Sequence, residues 1–184
     1  VLGTVGEPIN PEAWIWYRDH IGGGRAPVVD TWWQTETGMI LITPLPGVTT
    51  LKPGSATRPF PTIDAAVYDN HGQEVAPGGG GYLVIRKPWP AMTRGIFGDP
   101  DRFVETYWSR YPDTYFVGDG ARVDEDGDFL LLCLVFYVMY VSVHRISTIF
   151  VDISLFSHPP LAEASVAVRH SAHTGHPILP FFTL

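Results

Sequence analysis

The stretch Asp30-Thr31-Trp32-Trp33-Gln34-Thr35-Glu36-Thr37-Gly38, entered from the apolar pair Val28-Val29, decides how this chain is read. Val28 to Thr31 has the make-up of a short buried strand that carries the indole pair into a loop. That loop sets a carboxylate, hydroxyls and two adjacent indoles on a few residues, a composition suited to the mouth of a nucleotide site. A Thr-Glu pair at the end of a strand offers a hydroxyl to a phosphate and a carboxylate to Mg²⁺, which usually binds through few carboxylates plus substrate phosphates. Two tryptophans beside it can wall off a small apolar pocket. The competing reading is a strand end with core aromatics, and the stretch alone leaves both open.

On the amino-terminal side, Asn10 as N-cap and Pro11 at the first helical position predict a short helix over 11–20, ended by Gly22-Gly23-Gly24. On the other side, from Gly54 to Leu132, β-prone runs (Asp64 to Tyr68, Tyr82 to Ile85, Tyr115 to Val117) alternate with turns such as Asn70-His71-Gly72. That alternation predicts a small β-barrel-like subdomain. Gly78 to Gly81 lack a following helix and a Lys-Ser/Thr pair, so they read as a hairpin loop rather than a phosphate cradle. Phe129 to Val143 is almost wholly apolar, yet it is shorter than the roughly 20 residues of a spanning helix and rich in β-branched and aromatic side chains. A buried strand pair is therefore expected there rather than a membrane segment.

Composition narrows the classes. The 184 residues are 45% hydrophobic, enough for a domain or one and a half, with a formal charge of −7. All of that acidity lies in residues 1–128, which hold 17 acids against 10 Lys and Arg, while residues 129–184 hold 2 against 2. No Lys/Arg-rich stripe is present, which points away from nucleic acid. The single cysteine, Cys133, has no internal partner for a disulfide, and no charged, cleavable leader opens the chain, so a cytoplasmic setting is expected. His170, His173 and His176 recur every third residue, but Pro and Gly in the run prevent a regular presenting helix, and an ordinary loop is expected over a metal site.

Three further motifs stand in order with Asp30 to Gly38: Val5-Gly6-Glu7-Pro8-Ile9-Asn10, Gly54-Ser55-Ala56-Thr57-Arg58-Pro59 and Tyr115-Phe116-Val117-Gly118-Asp119-Gly120-Ala121. The set resembles the adenylate-forming superfamily, in the form that activates acetate and carries a Trp-Trp pair. The resemblance is dense from Val1 to Gly127 and patchier from His144 to Val168, where His144-Arg145-Ile146-Ser147-Thr148 and Ser157-His158-Pro159 keep register. It implies a mixed α+β chain: residues 1–50 as the end of an α/β nucleotide-binding body, 51–132 as a β-subdomain, and 133–184 as a hinge and the start of a small α+β C-terminal domain. The chain starts in mid-pattern at Val1 and stops in an apolar run at Leu184, so a fragment is expected, without the upstream phosphate loop and the C-terminal catalytic lysine of the family. At the hinge it departs from the pattern: Cys133-Leu134 and Phe136-Tyr137 replace Gly-Arg and an acidic pair, and Val143 replaces a glycine.

The implied reaction has two halves. Acetate attacks the α-phosphate of ATP to give acetyl-adenylate and pyrophosphate, and the thiol of coenzyme A then attacks the acyl carbonyl. By the same resemblance, Glu36 is the candidate Mg²⁺ ligand with Thr35 on a phosphate oxygen, and Asp119 accepts from both ribose hydroxyls, against the local alternative of a turn-forming Asp. Gly6, Glu7 and Pro8 lie along the adenine in a nucleotide site completed by Asp30, Thr31, Trp32 and Gln34. Trp33 shortens the acyl pocket in favour of acetate. Arg145 contacts phosphate, Ser142 contacts coenzyme A, and backbone groups near Phe156, His158 and Leu161 hold a structural cation. The rivals are a propionate-preferring relative, a catalytically dead remnant serving as an interaction module, which the altered hinge favours, and a membrane-attached protein.

Overall fold

Val28–Thr31 is a strand (β2), as its β-branched pair requires, and it lies parallel to β1 (Leu2–Val5), with Leu2 opposite Val28 and Val5 opposite Thr31. Parallel neighbours need a crossover, and the intervening residues supply a helix, α1 (Pro11–Trp16). Asn10 caps it as expected, its side-chain oxygen accepting from the backbone N–H groups of Glu12 at 2.7 Å and Ala13 at 3.3 Å. The expected helix over 11–20 is not uniform: after Trp16 the chain widens into a π turn, Tyr17–Ile21, whose closing bond runs from Gly22 N–H to Tyr17 O at 3.0 Å. There the His20 ring stacks on Trp16 and its Nδ1 meets the Trp16 carbonyl at 3.0 Å.

The computed structural model describes residues 1–134, 138–141, 144–147, 163–168 and 178–183. The chain divides into two compact units, Val1–Leu131 and Leu132–Leu184. The strands β3 (Ala65–Tyr68), β4 (Gly80–Ile85), β5 (Tyr115–Val123) and β6 (Phe129–Leu134) form a four-stranded sheet in sequence order, antiparallel across β3–β4 and β4–β5. The architecture is thus mixed α and β, as expected, with the antiparallel sheet of the β-rich stretch curled as a half-barrel. Strand β5 is three times the length of the expected run at Tyr115 to Val117, and β4 starts at Gly80, so two of the hairpin glycines belong to the strand. A second helix, α2 (Pro100–Tyr107), is absent from the sequence reading although its start signals are ordinary: Asp99 caps it by accepting from Arg102 N–H at 3.1 Å, and Pro100 takes the first position.

The core of the first unit gathers Trp32, Leu41, Ile42, Val67, Leu83, Ile85, Trp89, Tyr115, Val117 and Phe129. Full burial of each aliphatic side chain contributes about 1.5–3 kcal/mol, and Leu41, Ile42 and Leu83 are wholly buried. Trp32 belongs to this core, so the reading of a strand end with a core aromatic holds for that residue, while Trp33 beside it is exposed.

Among the described residues, the apolar run from Phe129 to Val143 contains strands, as expected, each paired with an element other than its neighbour in the run. The turn at Gly127 brings β6 back alongside β5, while β7 (Val138–Val141) pairs antiparallel with β8 (His144–Ser147). In the second unit β9 (Glu163–Val168) and β10 (Ile178–Thr183) form a second antiparallel pair, Ile178 opposite Val168. Among the described residues no helix is long and apolar enough to cross a membrane. Ser142, Val143, Phe136, Tyr137, Phe156, His158, Leu161 and the three spaced histidines, His170, His173 and His176, lie outside the described residues.

Candidate functional site

Because β1 and β2 are parallel and in register, the loops that follow them leave the same edge. Gly6-Glu7-Pro8 follows Val5, and Trp32 follows Thr31, its register partner. The carboxyl edge of parallel strands is where open α/β sheets bind ligands, since backbone groups and loop side chains converge there without helix packing in the way. Gly6 adopts φ +98°, a conformation open to glycine, with nothing within 4 Å of the place a Cβ would occupy; Glu7 beside it is exposed.

Asp30, on β2, is buried and accepts from Thr4 Oγ1 at 2.9 Å and from Thr31 N–H at 3.1 Å. Burial pushes its carboxyl above the ordinary 3.8, against those two donors. Thr31 meets Thr43 hydroxyl to hydroxyl at 3.1 Å.

Two of the next three residues, Trp32 and Gln34, reach across to β5. Trp32 Nε1 donates to Asp119 Oδ2 at 2.9 Å, and Gln34 Nε2 donates to the same oxygen at 3.3 Å and to Val117 O at 3.0 Å. Asp119 is 7% exposed, and burial raises its carboxyl above the ordinary range; Trp32 and Gln34 oppose the shift, and the nearby charge of Glu36 adds to it. No described residue donates to its other oxygen, Oδ1, so the carboxylate is fixed on one side and free to accept on the other. Trp33 points the opposite way from its neighbour and is 47% exposed.

Thr35–Thr37 forms a 3-10 turn closed by Gly38 at φ +64°. A Cβ on Gly38 would stand 2.3 Å from Ala91 O, so the turn packs against the 89–93 segment only because the residue is glycine. Trp89 Nε1 donates to Thr37 O at 2.7 Å and Thr93 N–H to Glu36 O at 2.9 Å, pinning the turn from that side. Thr35 is exposed. Glu36 is half-buried, and its Oε1 accepts from the Tyr107 hydroxyl at 3.1 Å.

The structure therefore joins Trp32 and Gln34 to Asp119 by hydrogen bonds and sets the Glu36 charge near Asp119, while Asp30 is bonded separately to Thr4 and Thr31, and Thr35 and Trp33 are exposed. Arg145 lies on β8 opposite Tyr140, in the second unit. Ser142, Phe156, His158 and Leu161 are outside the described residues. Tyr107 is absent from the sequence reading, and Tyr115 figures there only as the start of a strand and of a motif, with no role at the site. Nothing in Phe103-Val104-Glu105-Thr106-Tyr107 points to a partner 71 residues away.

The donor set fits the chemistry of a hard cation carried by phosphates: one half-buried carboxylate, Glu36, beside the hydroxyl of an exposed residue, Thr35. A second acidic cluster does not offer a comparable place. Asp124, Asp126 and Asp128 lie close together, but the Lys52 ammonium already stands among them, at 2.5, 2.8 and 3.9 Å, and Arg58 pairs with Asp128 at 3.0 Å.

The AMP-binding enzyme family matches residues 1–97. Curated relatives align along the whole chain. The acetyl-coenzyme A synthetase of Streptomyces avermitilis is 61% identical over 184 residues, covering 100% of this chain and 28% of that protein. That of Rubrobacter xylanophilus is 57% identical, with 29% of its length covered, and that of Mycolicibacterium smegmatis is 55% identical over 192 residues, with 20% covered. The chain thus spans between a fifth and three tenths of the length of these relatives.

Proposed function

This chain belongs to the AMP-binding enzyme family, and we propose that it is a segment of an AMP-forming acetate–coenzyme A ligase, contributing the nucleoside-binding edge and one cation-binding carboxylate. The observation that carries this reading is the buried Asp119, held by Trp32 and Gln34 through Oδ2 while Oδ1 is left to accept. A carboxylate so held takes hydrogen bonds from vicinal hydroxyls without having to reorganise, which is how a fixed acceptor orients a ribose.

In this reading residues 1–50 end the α/β body, 51–132 form the β-subdomain, and 133–184 form the hinge and part of the C-terminal domain. Gly6, Glu7 and Pro8 lie along the adenine, supported by their exit from the same sheet edge as Trp32. Asp30 and Thr31 brace the strand end beneath them. Thr35 and Glu36 face the phosphates, where Mg²⁺, when bound, would neutralise the charge that builds as pyrophosphate leaves. Trp33 limits the acyl chain by occupying space, which favours acetate. The roles of Ser142 toward coenzyme A, of Arg145 toward phosphate, and of Phe156, His158 and Leu161 toward a cation rest on the resemblance alone.

The test uses a full-length chimera, the Streptomyces avermitilis enzyme with residues 1–131 of this chain in place of the matching segment. Asp119→Asn should weaken AMP binding by about 10- to 100-fold, the value of hydrogen bonds to a charged group, as read by calorimetry. In the same background Trp33→Gly should shift relative kcat/KM toward propionate and butyrate by about 10-fold or more. Unchanged AMP affinity removes Asp119 from the nucleoside site, and an unchanged chain-length profile removes Trp33 from the acyl pocket.

A further inference from the structure

We propose that Tyr107 is a positioning residue for Glu36, holding its carboxylate so that one oxygen stays turned toward a divalent cation carried by the nucleotide phosphates. This rests on the reading of Glu36 as the cation ligand. Tyr107 is the last residue of α2, and its hydroxyl donates to Glu36 Oε1 at 3.1 Å. Oε2 accepts no hydrogen bond from the described residues.

The ring that carries this hydroxyl is not free to swing. It stacks on Tyr115 with centroids 5.4 Å apart and planes 8° apart, and Phe103, one turn back on α2, leans on it at 5.7 Å. Tyr115 is wholly buried and meets Trp89 edge-on at 5.2 Å and Trp108 at 5.7 Å. Trp89 in turn holds the 3-10 turn through Thr37 O, and Thr93 N–H donates to the Glu36 carbonyl. Glu36 is therefore tethered at its backbone by Thr93 and at one carboxylate oxygen by Tyr107, a ring of the aromatic wall.

A glutamate has several rotatable bonds, and an untethered one on a half-exposed turn would give up that freedom each time a cation bound. The Tyr107 hydrogen bond removes that freedom beforehand. It occupies a lone pair of Oε1 and leaves Oε2 presented, the arrangement in which hydrogen-bonding partners behind a ligating carboxylate set its orientation. If Tyr107 served only as packing, its ring would matter and its hydroxyl would not.

Tyr107→Phe keeps the ring and the stack, so it isolates the hydroxyl. In the full-length chimera, Mn²⁺ affinity in the presence of a non-hydrolysable ATP analogue, followed by electron paramagnetic resonance, should fall about 10-fold. The KM for Mg·ATP should rise while the KM for acetate and the thermal midpoint of the ligand-free protein stay where they are. In a Glu36→Ala background Tyr107→Phe should produce no further loss, because its effect runs through the carboxylate. Wild-type Mn²⁺ affinity in Tyr107→Phe, alongside weakened affinity in Glu36→Ala, overturns the positioning role and leaves Glu36 as ligand. Wild-type affinity in Glu36→Ala overturns the reading of Glu36 and this proposal with it.

Discussion

Two carboxylates of the candidate site, Asp30 and Asp119, are taken out of water, and each is pushed above the ordinary 3.8 by burial. Such a group binds its proton more tightly in the folded chain than in the unfolded one. Its contribution to stability is fully present below about 3.8 and is lost as the pH rises through the folded-state value. Asp64 works in the opposite direction: hydrogen bonds from Lys87 and Arg86 hold it below its ordinary value, so its contribution is present above that value and lost in acid. Asp30→Asn keeps an oxygen to accept from Thr4 and Thr31 and removes the ionisation. Between about pH 4 and pH 7 the variant should lose less stability than the parent chain, as read from denaturant midpoints across that range. Equal slopes in the two proteins would mean that Asp30 titrates as it does in the unfolded chain.

At the scale of elements, the site depends on where two short pieces stop. The 3-10 turn Thr35–Thr37 ends at Gly38 because the backbone there turns to φ +64° and presses against Ala91. Gly38→Ala forces a Cβ to within 2.3 Å of that carbonyl, so the turn must back away from the 89–93 segment. The left-handed conformation alone costs a non-glycine residue about 1–3 kcal/mol, and the displaced contact adds to it. The expected outcome is a fall in unfolding free energy of at least that size, together with loss of the Thr93–Glu36 and Trp89–Thr37 bonds, visible as faster amide exchange at Thr93 and at the Trp89 indole. Helix α2 matters for the opposite reason: it is held at its start by the Asp99 cap and delivers Tyr107 from its last turn.

Across the first unit, distant segments are clamped by charge as well as by the core. Lys52 reaches Asp124, Asp126 and Asp128, more than seventy residues further on, and Arg58 pairs with Asp128. Exposed ion pairs contribute little singly, and Lys52 is 36% exposed, but its removal leaves three neighbouring carboxylates with reduced compensation. Lys52→Met should destabilise the chain by about 1 kcal/mol at low ionic strength, with the loss shrinking as salt screens the carboxylates. Lys87→Met, which removes a single pair to Asp64, serves as the comparison and should show a smaller change; equal losses would reduce the Lys52 cluster to an ordinary surface pair. Much of the architecture was legible beforehand where the signal is local. The capped helix at Asn10-Pro11, the strand Val28–Thr31 and the β-rich stretch after Gly54 follow from caps, side-chain alternation and turn residues that lie within a few positions of one another. The motifs around Gly6, Glu36 and Asp119 were visible as separate stretches for the same reason. What their spacing does not contain is which atoms meet: that Trp32 spends its indole N–H on Asp119, that Trp33 turns outward, that β6 returns to β5 while β7 joins β8, and that Tyr107 stands behind Glu36. Those are decided by packing between residues far apart in the chain, where burial makes an unmatched polar group costly and selects the one arrangement that pairs it.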